Sequence, residues 1–592
     1  MPCIRRSPNV TSSLRAMGRY WRLLAHYLQP HRLQITLLAI VLFATIGVQI
    51  ATPLVASRFI NEAVSGSTMR TLVTLALLTM LLALVGQGLA VAETWAAESV
   101  SWDATNALRI DLVSHLLRLD TSFHTRHTPG ELIERVDGDV GTLARFFSRF
   151  VVNVLGNGIL MVAVIVLLIT VDWRVGLGLT VFVVVALFAM LRIRSSSTHH
   201  WSAERQGSAE FYGFLGEYLA GLEDIRSSGA GAFVLRRCAQ AMRTWLAAMR
   251  RAQMRGYALV ATSEGLFGLG LAFALALCAV LYRDGALTLG TVYLVFRYTE
   301  MLREPTEQIR SEVQEFQQAD ASIGRVEALL GETSTLVDGP HASLPPGPLG
   351  IELDRVSFGY GDESEVLREV SIEVAPGRVL GVAGRTGSGK TTLTRLVPRF
   401  LDPQRGRVLL GGMDVRDVRI DAVRSRIGLV SQDVHLFHAS VRDNVTLFDD
   451  GVPDERVEAA LETIGLGEWL RQLPDGVATL VGTGTGLSAG QAQLLACARV
   501  LLLDPDIVIL DEASSRLDPA TERLVHRALG QLLEGRTGII VAHRLATLGY
   551  ADDILVLEEG RVVECGPRLA LAGNPDSRFA ALLRTDGQEV FR

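Results

Sequence analysis

The first 310 residues contain apolar runs too long for the helices of an ordinary soluble domain. LGNGILMVAVIVLLITV, residues 155–171, is the clearest. A bilayer core takes about 20 consecutive, mostly apolar helical residues. Six runs approach that length: 33–60, 72–95, 151–171, 175–191, 257–282 and 287–302. An amphipathic soluble helix needs only one apolar stripe, so the pattern predicts six membrane-spanning helices rather than a buried core. The sixth run is the least apolar, because Arg297 and Glu300 interrupt it.

Arginine placement predicts how these spans are threaded. Residues 1–32 carry Arg5, Arg6, Arg15, Arg19, Arg22 and Arg32 and no acidic residue, which places that end in the cytoplasm. A basic N-terminus also fits an organellar transit peptide; GRYWRLLAHYL reads better as a helix lying beside the membrane. The segments after spans one, three and five are short (NEAVSGSTMR, DWR, RDGA), whereas 96–149 and 192–256 are long and polar. Even-numbered spans therefore return to the cytoplasm, and both termini are expected there, in a cell membrane of bacterial inner-membrane type. Each long segment holds a hinge-like stretch, LDTSFHTRHTPGELIERVDGDV and GEYLAGLEDIRSSGAGAF, that reads as a short docking helix.

Composition changes sharply further on. Residues 331–350 are rich in Gly, Pro and Ser and read as a linker; from 351 onward short apolar strands alternate with glycine loops and charged helices. The expected organisation is a basic segment 1–32, an all-α transmembrane domain 33–310, a linker 311–350 and an α/β phosphate-loop domain 351–592. A net charge of −6 gives no reason to expect nucleic acid, and five scattered cysteines point to a reducing compartment.

The chain has 57 Lys+Arg, and only Lys390 is a lysine. A position reserved for a compact ammonium, where arginine serves everywhere else, reads as a seat between phosphate oxygens. Its context agrees. Apolar GRVLGVA runs into Gly384-Arg385-Thr386-Gly387-Ser388-Gly389-Lys390-Thr391-Thr392 and then a helix-like stretch. That is the strand–loop–helix setting of a G-x-x-x-x-G-K-[ST] phosphate loop. Lys390 is expected to bridge the β- and γ-phosphates of ATP, and the Thr391 hydroxyl to bind Mg²⁺. Downstream, DIVILDE reads as a buried strand ending in Asp511, placed for Mg²⁺, and Glu512, placed to polarise the attacking water.

Leu487-Ser488-Ala489-Gly490-Gln491, lying between these two elements, resembles the signature motif of ATP-binding cassette (ABC) proteins. With it the whole chain resembles an ABC exporter half-transporter: six spans, two coupling loops, a linker and one nucleotide-binding domain. The resemblance implies that Tyr360 stacks on adenine, that Gln432 approaches Mg²⁺ and the attacking water, and that His543 contacts the γ-phosphate. It further implies that Ser515-Arg516-Leu517-Asp518 communicates between paired sites. Two cassettes facing head to tail would sandwich each ATP, with Ser488, Gly490 and Gln491 acting on the nucleotide of a partner half-transporter. Thr483 stands where the family usually has glutamate, Ala492 and Leu494 replace usual basic residues, and Arg516 replaces a typical alanine. Homodimer and heterodimer both stay open.

Glu264, inside span five, and Arg297 and Glu300, inside span six, are the substrate candidates, because ionisable groups at membrane depth are costly; they equally fit helix packing beside a wet cavity. Gln49 and Gln87 are weaker candidates. The expected function is ATP-driven export of amphipathic small molecules, lipids or peptides. The alternatives are import on the same fold, of a siderophore for example, and a cassette ATPase acting on nucleic acid, which six spans oppose.

Overall fold

The helices overrun the apolar runs that nucleate them. A computed structural model describes residues 25–361, 365–482, 487–511, 519–541 and 545–585. Among these, Met69–Arg118, Trp173–Ala220 and Gly231–Arg283 are helices of 50, 48 and 53 residues. At 1.5 Å per residue each extends roughly 70–80 Å, more than twice the bilayer core. The polar ends seen in the sequence as long cytoplasmic segments are thus continuations of the spans. The first run lies in Arg32–Val64, and the third in a helix containing π-helical stretches at Glu134–Asp139 and Phe150–Gly156. The last run lies in Leu289–Met301, and the helix Arg303–Gly331 begins just beyond it. Four helices among the described residues are long and apolar enough to cross a membrane: Ala25–Val64, Met69–Arg118, Pro129–Val171 and Gly231–Arg283; Trp173–Val185 is a shorter apolar stretch.

Contacts divide the chain into two units, Met1–Leu117 with Thr128–Glu332, and Arg118–His127 with Thr333–Arg592. In the first, Leu42, Ile46, Val164, Leu168, Leu179, Cys278 and Tyr298 form a shared apolar core. Tyr298 donates its hydroxyl to the carbonyl of Ile50 at 3.0 Å. Gly290 lies so close to the first helix that a Cβ would sit 2.1 Å from the carbonyl oxygen of Ser57, and its N–H donates to Asn61 Oδ1 at 2.8 Å. Outward-facing Leu77, Leu81, Leu84, Val181 and Val184 are exposed, an apolar surface of the kind a bilayer covers.

The second unit is built on strands. In chain order they are β1 Ile351–Phe358, β2 Leu367–Val374, β3 Val379–Ala383, β4 Arg405–Leu410, β5 Met413–Asp414, β6 Ile427–Val430, β7 Ala439–Ser440, β8 Leu480–Val481, β9 Ile507–Asp511, β10 Thr537–Val541, β11 Asp553–Glu558 and β12 Arg561–Pro567. An antiparallel sheet runs β2-β1-β4-β5 and a six-stranded sheet runs β12-β11-β3-β10-β9-β6. The strands β3, β9 and β10 are buried at every position, as expected for parallel strands covered on both faces. Leu353, Val356, Val382, Leu393 and Ile509 belong to one core, and Val430, Leu495, Leu510, Val525 and Ile540 to another.

Parts of two segments read from the sequence as outlying, residues 118–127 and those after 332, belong to this unit. The first docking stretch forms a short helix, Thr121–Arg126, and Thr121 Oγ1 donates to the Phe400 carbonyl at 2.9 Å. Of the stretch read as a linker, residues up to 331 continue the helix Arg303–Gly331. Beyond it the backbone is fastened: Gly339 N–H to Val418 O at 3.3 Å, His341 N–H to Asp417 O at 2.9 Å and Arg419 N–H to His341 O at 2.9 Å.

Candidate active site

Parallel register sets where the chemistry lies. In β10, Val541 pairs with Val382 of β3 on one side and Asp511 of β9 on the other, while Val430 of β6 pairs with Leu510. The carboxyl ends of four strands therefore lie along one edge. There β3 sits between β10 and β11, both later in the chain, and such a crossing point opens the crevice where α/β sheets bind ligands.

At that edge β3 turns directly into the loop and then into the helix Lys390–Leu396. Gly384 and Gly389 have φ of 151° and 104°. A Cβ on Gly384 would sit 2.3 Å from the Leu557 carbonyl oxygen, and one on Gly389 would sit 2.6 Å from a Leu367 methyl. Conformation and space both demand glycine at these two positions. Lys390 is only 6% exposed. Its ammonium donates to the carbonyls of Gly384 at 2.7 Å and Arg385 at 3.0 Å, so the cation is held inside the loop. Ser388 Oγ is buried and makes no hydrogen bond with the described residues. Arg385, Thr386 and Gly387 form the exposed rim. A buried cation, an orphaned buried hydroxyl and the N-terminus of a helix fit an anionic ligand such as a nucleotide triphosphate.

Two strands along the same edge, the end of β9 presents oxygen donors. Asp511 is buried at the end of β9 and accepts from Thr394 Oγ1 at 3.3 Å, while Thr391, three residues before it on the same helix, is exposed. This all-oxygen donor set suits a hard cation such as Mg²⁺. Gln432 is exposed two residues beyond β6, at the same edge. Tyr360 follows β1, stands edge-on to Phe358 at 5.1 Å, and its hydroxyl lies 3.3 Å from Thr392 Oγ1. Five expected elements thus gather at one edge: the loop, Thr391, Asp511, Gln432 and Tyr360. Glu512, the stretch from Ser515 to Asp518, His543 and Thr483 lie outside the described residues.

The signature segment starts the helix Ala489–Leu503, with Gly490 buried and Ser488 exposed at its N-cap. Gln491 N–H donates to Ser488 Oγ at 3.2 Å, and Ser488 N–H donates to Gln491 Oε1 at 2.9 Å. This is a capping box. The spacing S-x-x-Q before an apolar run carries that signal, and reading the segment only as a signature passes over it. Further along this helix, Arg499 donates to the carbonyls of Asn444 at 2.6 Å and His435 at 3.0 Å, so burial pulls its pKa down while it ties the helix to the loop after Gln432.

In the first unit Arg297 pairs with Glu300, one turn away, and Glu264 pairs with Arg303. All four side chains are about half exposed, so the structure does not bury these charges in a helix core. The Glu264–Arg303 pair was not visible in the sequence, because its members are 39 residues apart and no local spacing connects them.

The model for the ABC transporter region matches residues 367–515, and the model for the ABC transporter transmembrane region matches residues 35–305. An ATP-dependent lipid A-core flippase of Chromobacterium violaceum is 32% identical over 472 residues, which cover 78% of this chain and 80% of that protein. The chain belongs to the ABC transporter family. The cyclolysin secretion/processing ATP-binding protein CyaB of Bordetella pertussis is 35% identical over 80% of this chain and 66% of its own length. Among solved structures, a bacterial Atm1-family ABC exporter with ATP bound superposes with a TM-score of 0.78 at 26% identity, covering 94% of this chain and 99% of that one. This ABC transporter is a multi-pass membrane protein that binds ATP and couples its hydrolysis to transport. It is of the exporter type, and import on the same fold is not favoured.

Proposed function

We propose that two half-transporters, this chain with a second copy or a different one, bind two ATP molecules between facing cassettes. One face would be the loop from Gly384 to Thr392 with Tyr360 against the adenine, Gln432, Asp511, Glu512 and His543. The other would be Ser488, Gly490 and Gln491 of the partner subunit. The observation that carries this reading is the signature helix: its N-terminus is exposed, yet its first turn is locked by the Ser488–Gln491 pair. A rigid, outward-facing helix N-terminus is preorganised to meet phosphate from another chain.

Lys390 and the loop N–H groups would bind and orient the β- and γ-phosphates. Thr391, Asp511 and Gln432 would hold Mg²⁺, which supplies charge neutralisation on the phosphates. Glu512 would take the proton of the attacking water, and His543 would hold the γ-phosphate. While ATP is intact its charge is shared by both faces and keeps them together; cleavage removes that link and lets them part. The cargo class proposed is amphipathic small molecules, lipids or peptides. The lipid A-core flippase among its relatives supports the lipid member of this class, and Glu264, Arg297 and Glu300 are proposed to contact the cargo. The arginine-rich N-terminus supports an inner-membrane location with both termini and the cassette in the cytoplasm.

The test is Glu512→Gln. It should bind ATP, hydrolyse it at less than about a hundredth of the wild-type rate and accumulate the closed dimer on size-exclusion chromatography; near-normal turnover would remove Glu512 from the role of base.

A further inference from the structure

Asp120 stands just after the helix Met69–Arg118 and is only 7% exposed. Its two carboxylate oxygens serve different parts of the chain. Oδ1 accepts from Ser122 Oγ at 2.6 Å and Phe123 N–H at 3.0 Å, capping the helix Thr121–Arg126. Oδ2 accepts from Thr335 N–H at 2.6 Å, Thr335 Oγ1 at 2.7 Å and Ser334 Oγ at 3.5 Å. Those donors lie immediately after Glu332, the C-cap of the last long helix, Arg303–Gly331. Burial alone would raise the pKa of this group, but the hydrogen bonds from Ser122, Thr335 and Phe123 outweigh it and hold the carboxyl well below the usual carboxylate range.

The same two segments converge a second time. Arg399, 2% exposed, donates to Val337 O at 2.7 Å and Val418 O at 3.0 Å and forks onto Asp402 at 3.0 and 3.3 Å. The next residue, Phe400, accepts from Thr121 through its carbonyl at 2.9 Å. Arg399 and Phe400 lie three and four residues beyond the end of the phosphate-loop helix Lys390–Leu396 and are hydrogen-bonded back to its last turn. The contacts close a ring: Asp120, Thr335, Val337, Arg399, Phe400 and Thr121.

We propose that Asp120 is a latch joining the first docking helix to the segment leaving the last membrane helix, so that both are carried as one body with the phosphate-loop helix. Two covalent exits from the membrane unit, at Arg118 and at Glu332, are then moved together by nucleotide. Asp120 acts here as a positioning residue. A simple cap needs only Oδ1, whereas a latch needs Oδ2 as well, and this separates the two roles. Asp120→Ser keeps a good N-cap and cannot reach Thr335; Thr335→Val keeps Asp120 and its cap and removes one latch bond.

The latch rests on the ATP-driven transporter reading, and its test keeps the two apart. Full-length protein, with native cysteines replaced and spin labels at Ser65 and Asp284 in the short loops of the membrane unit, is placed in lipid nanodiscs. The label-to-label distance is measured without nucleotide and after trapping with Mg-ATP and vanadate. Wild type should shift its distance distribution. Asp120→Ser should hydrolyse ATP and trap nucleotide at no less than about half the wild-type level, yet lose at least two-thirds of the shifted population; Thr335→Val should fall between. A full shift in Asp120→Ser overturns the latch. Should that variant not fold, a full shift in Ser334→Ala/Thr335→Val overturns it equally. Absence of ATP hydrolysis in wild type overturns the transporter reading, and the latch with it.

Discussion

Replacing Lys390 by arginine keeps the charge and changes only the shape of the head group. In the structure the ammonium fits between the carbonyls of Gly384 and Arg385, at 2.7 and 3.0 Å, in a loop where Gly384 and Gly389 have no room for even one added carbon. A guanidinium is a planar fork with donors spread over a wider arc. Forcing it inward costs about 1–3 kcal/mol of overpacking, and leaving it outside gives up two charge-assisted hydrogen bonds worth about 1.5–3 kcal/mol each. In either position the fork does not occupy the seat of the ammonium, and the developing phosphate charge loses a preorganised donor. One such donor is worth about 2.7–4 kcal/mol of barrier, so Lys390→Arg should hydrolyse ATP about 100- to 1000-fold more slowly than wild type. The assay is phosphate release by full-length protein in lipid, with the unfolding temperature as a control for folding. Turnover above about a tenth of wild type, in a variant of unchanged stability, refutes the claim that this seat excludes the wider cation.

Other outcomes follow from the same geometry. Tyr360→Ala should weaken ATP binding about 5- to 150-fold by calorimetry, the worth of one aromatic stack, while Tyr360→Phe, which loses only the contact to Thr392, should stay within about threefold. Because the folded-state pKa of Asp120 is depressed, its ionised form stabilises the protein fully above the ordinary carboxylate range, and that contribution is lost as pH falls through the folded pKa; the stability gap between wild type and Asp120→Asn should shrink as unfolding is followed from about pH 5 toward pH 2. Glu264→Ala should reduce transport of a cationic amphipathic dye more than of a neutral one, and equal transport of both by variant and wild type would count against substrate contact there. Its stability should fall by no more than about 1 kcal/mol, since the pair with Arg303 is half exposed.

What the sequence reveals and what it hides divides along physical lines. The apolar runs locate helices because burial in lipid is a local, compositional demand; they do not locate helix ends, since the polar continuations to Arg118 and Ala220 hold no membrane signal. The phosphate loop is legible because φ, close packing and charge all act within nine residues, 384–392. Placing Asp511 and Gln432 beside it follows from buried strands whose order in the sheet is set by long-range pairing. The attachment of residues 118–127 and 333–341 to the cassette is invisible to local pattern. Asp120 and Thr335 are 215 residues apart, and neither differs in type from an ordinary polar loop residue. Arg399 reads as one more arginine among many, yet the fold buries it almost completely as a clamp on two backbone carbonyls.

The central claim is that the Lys390 site drives cargo across the membrane. Inside-out vesicles from cells making wild type or Lys390→Arg can be incubated in a medium containing native lipid and amphipathic metabolites, energised with Mg-ATP, and their contents compared by mass spectrometry. At least one amphipathic compound should accumulate inside wild-type vesicles and not inside Lys390→Arg vesicles. Equal contents in the two, or ATP-driven loss of the compound from wild-type vesicles, would contradict ATP-driven export.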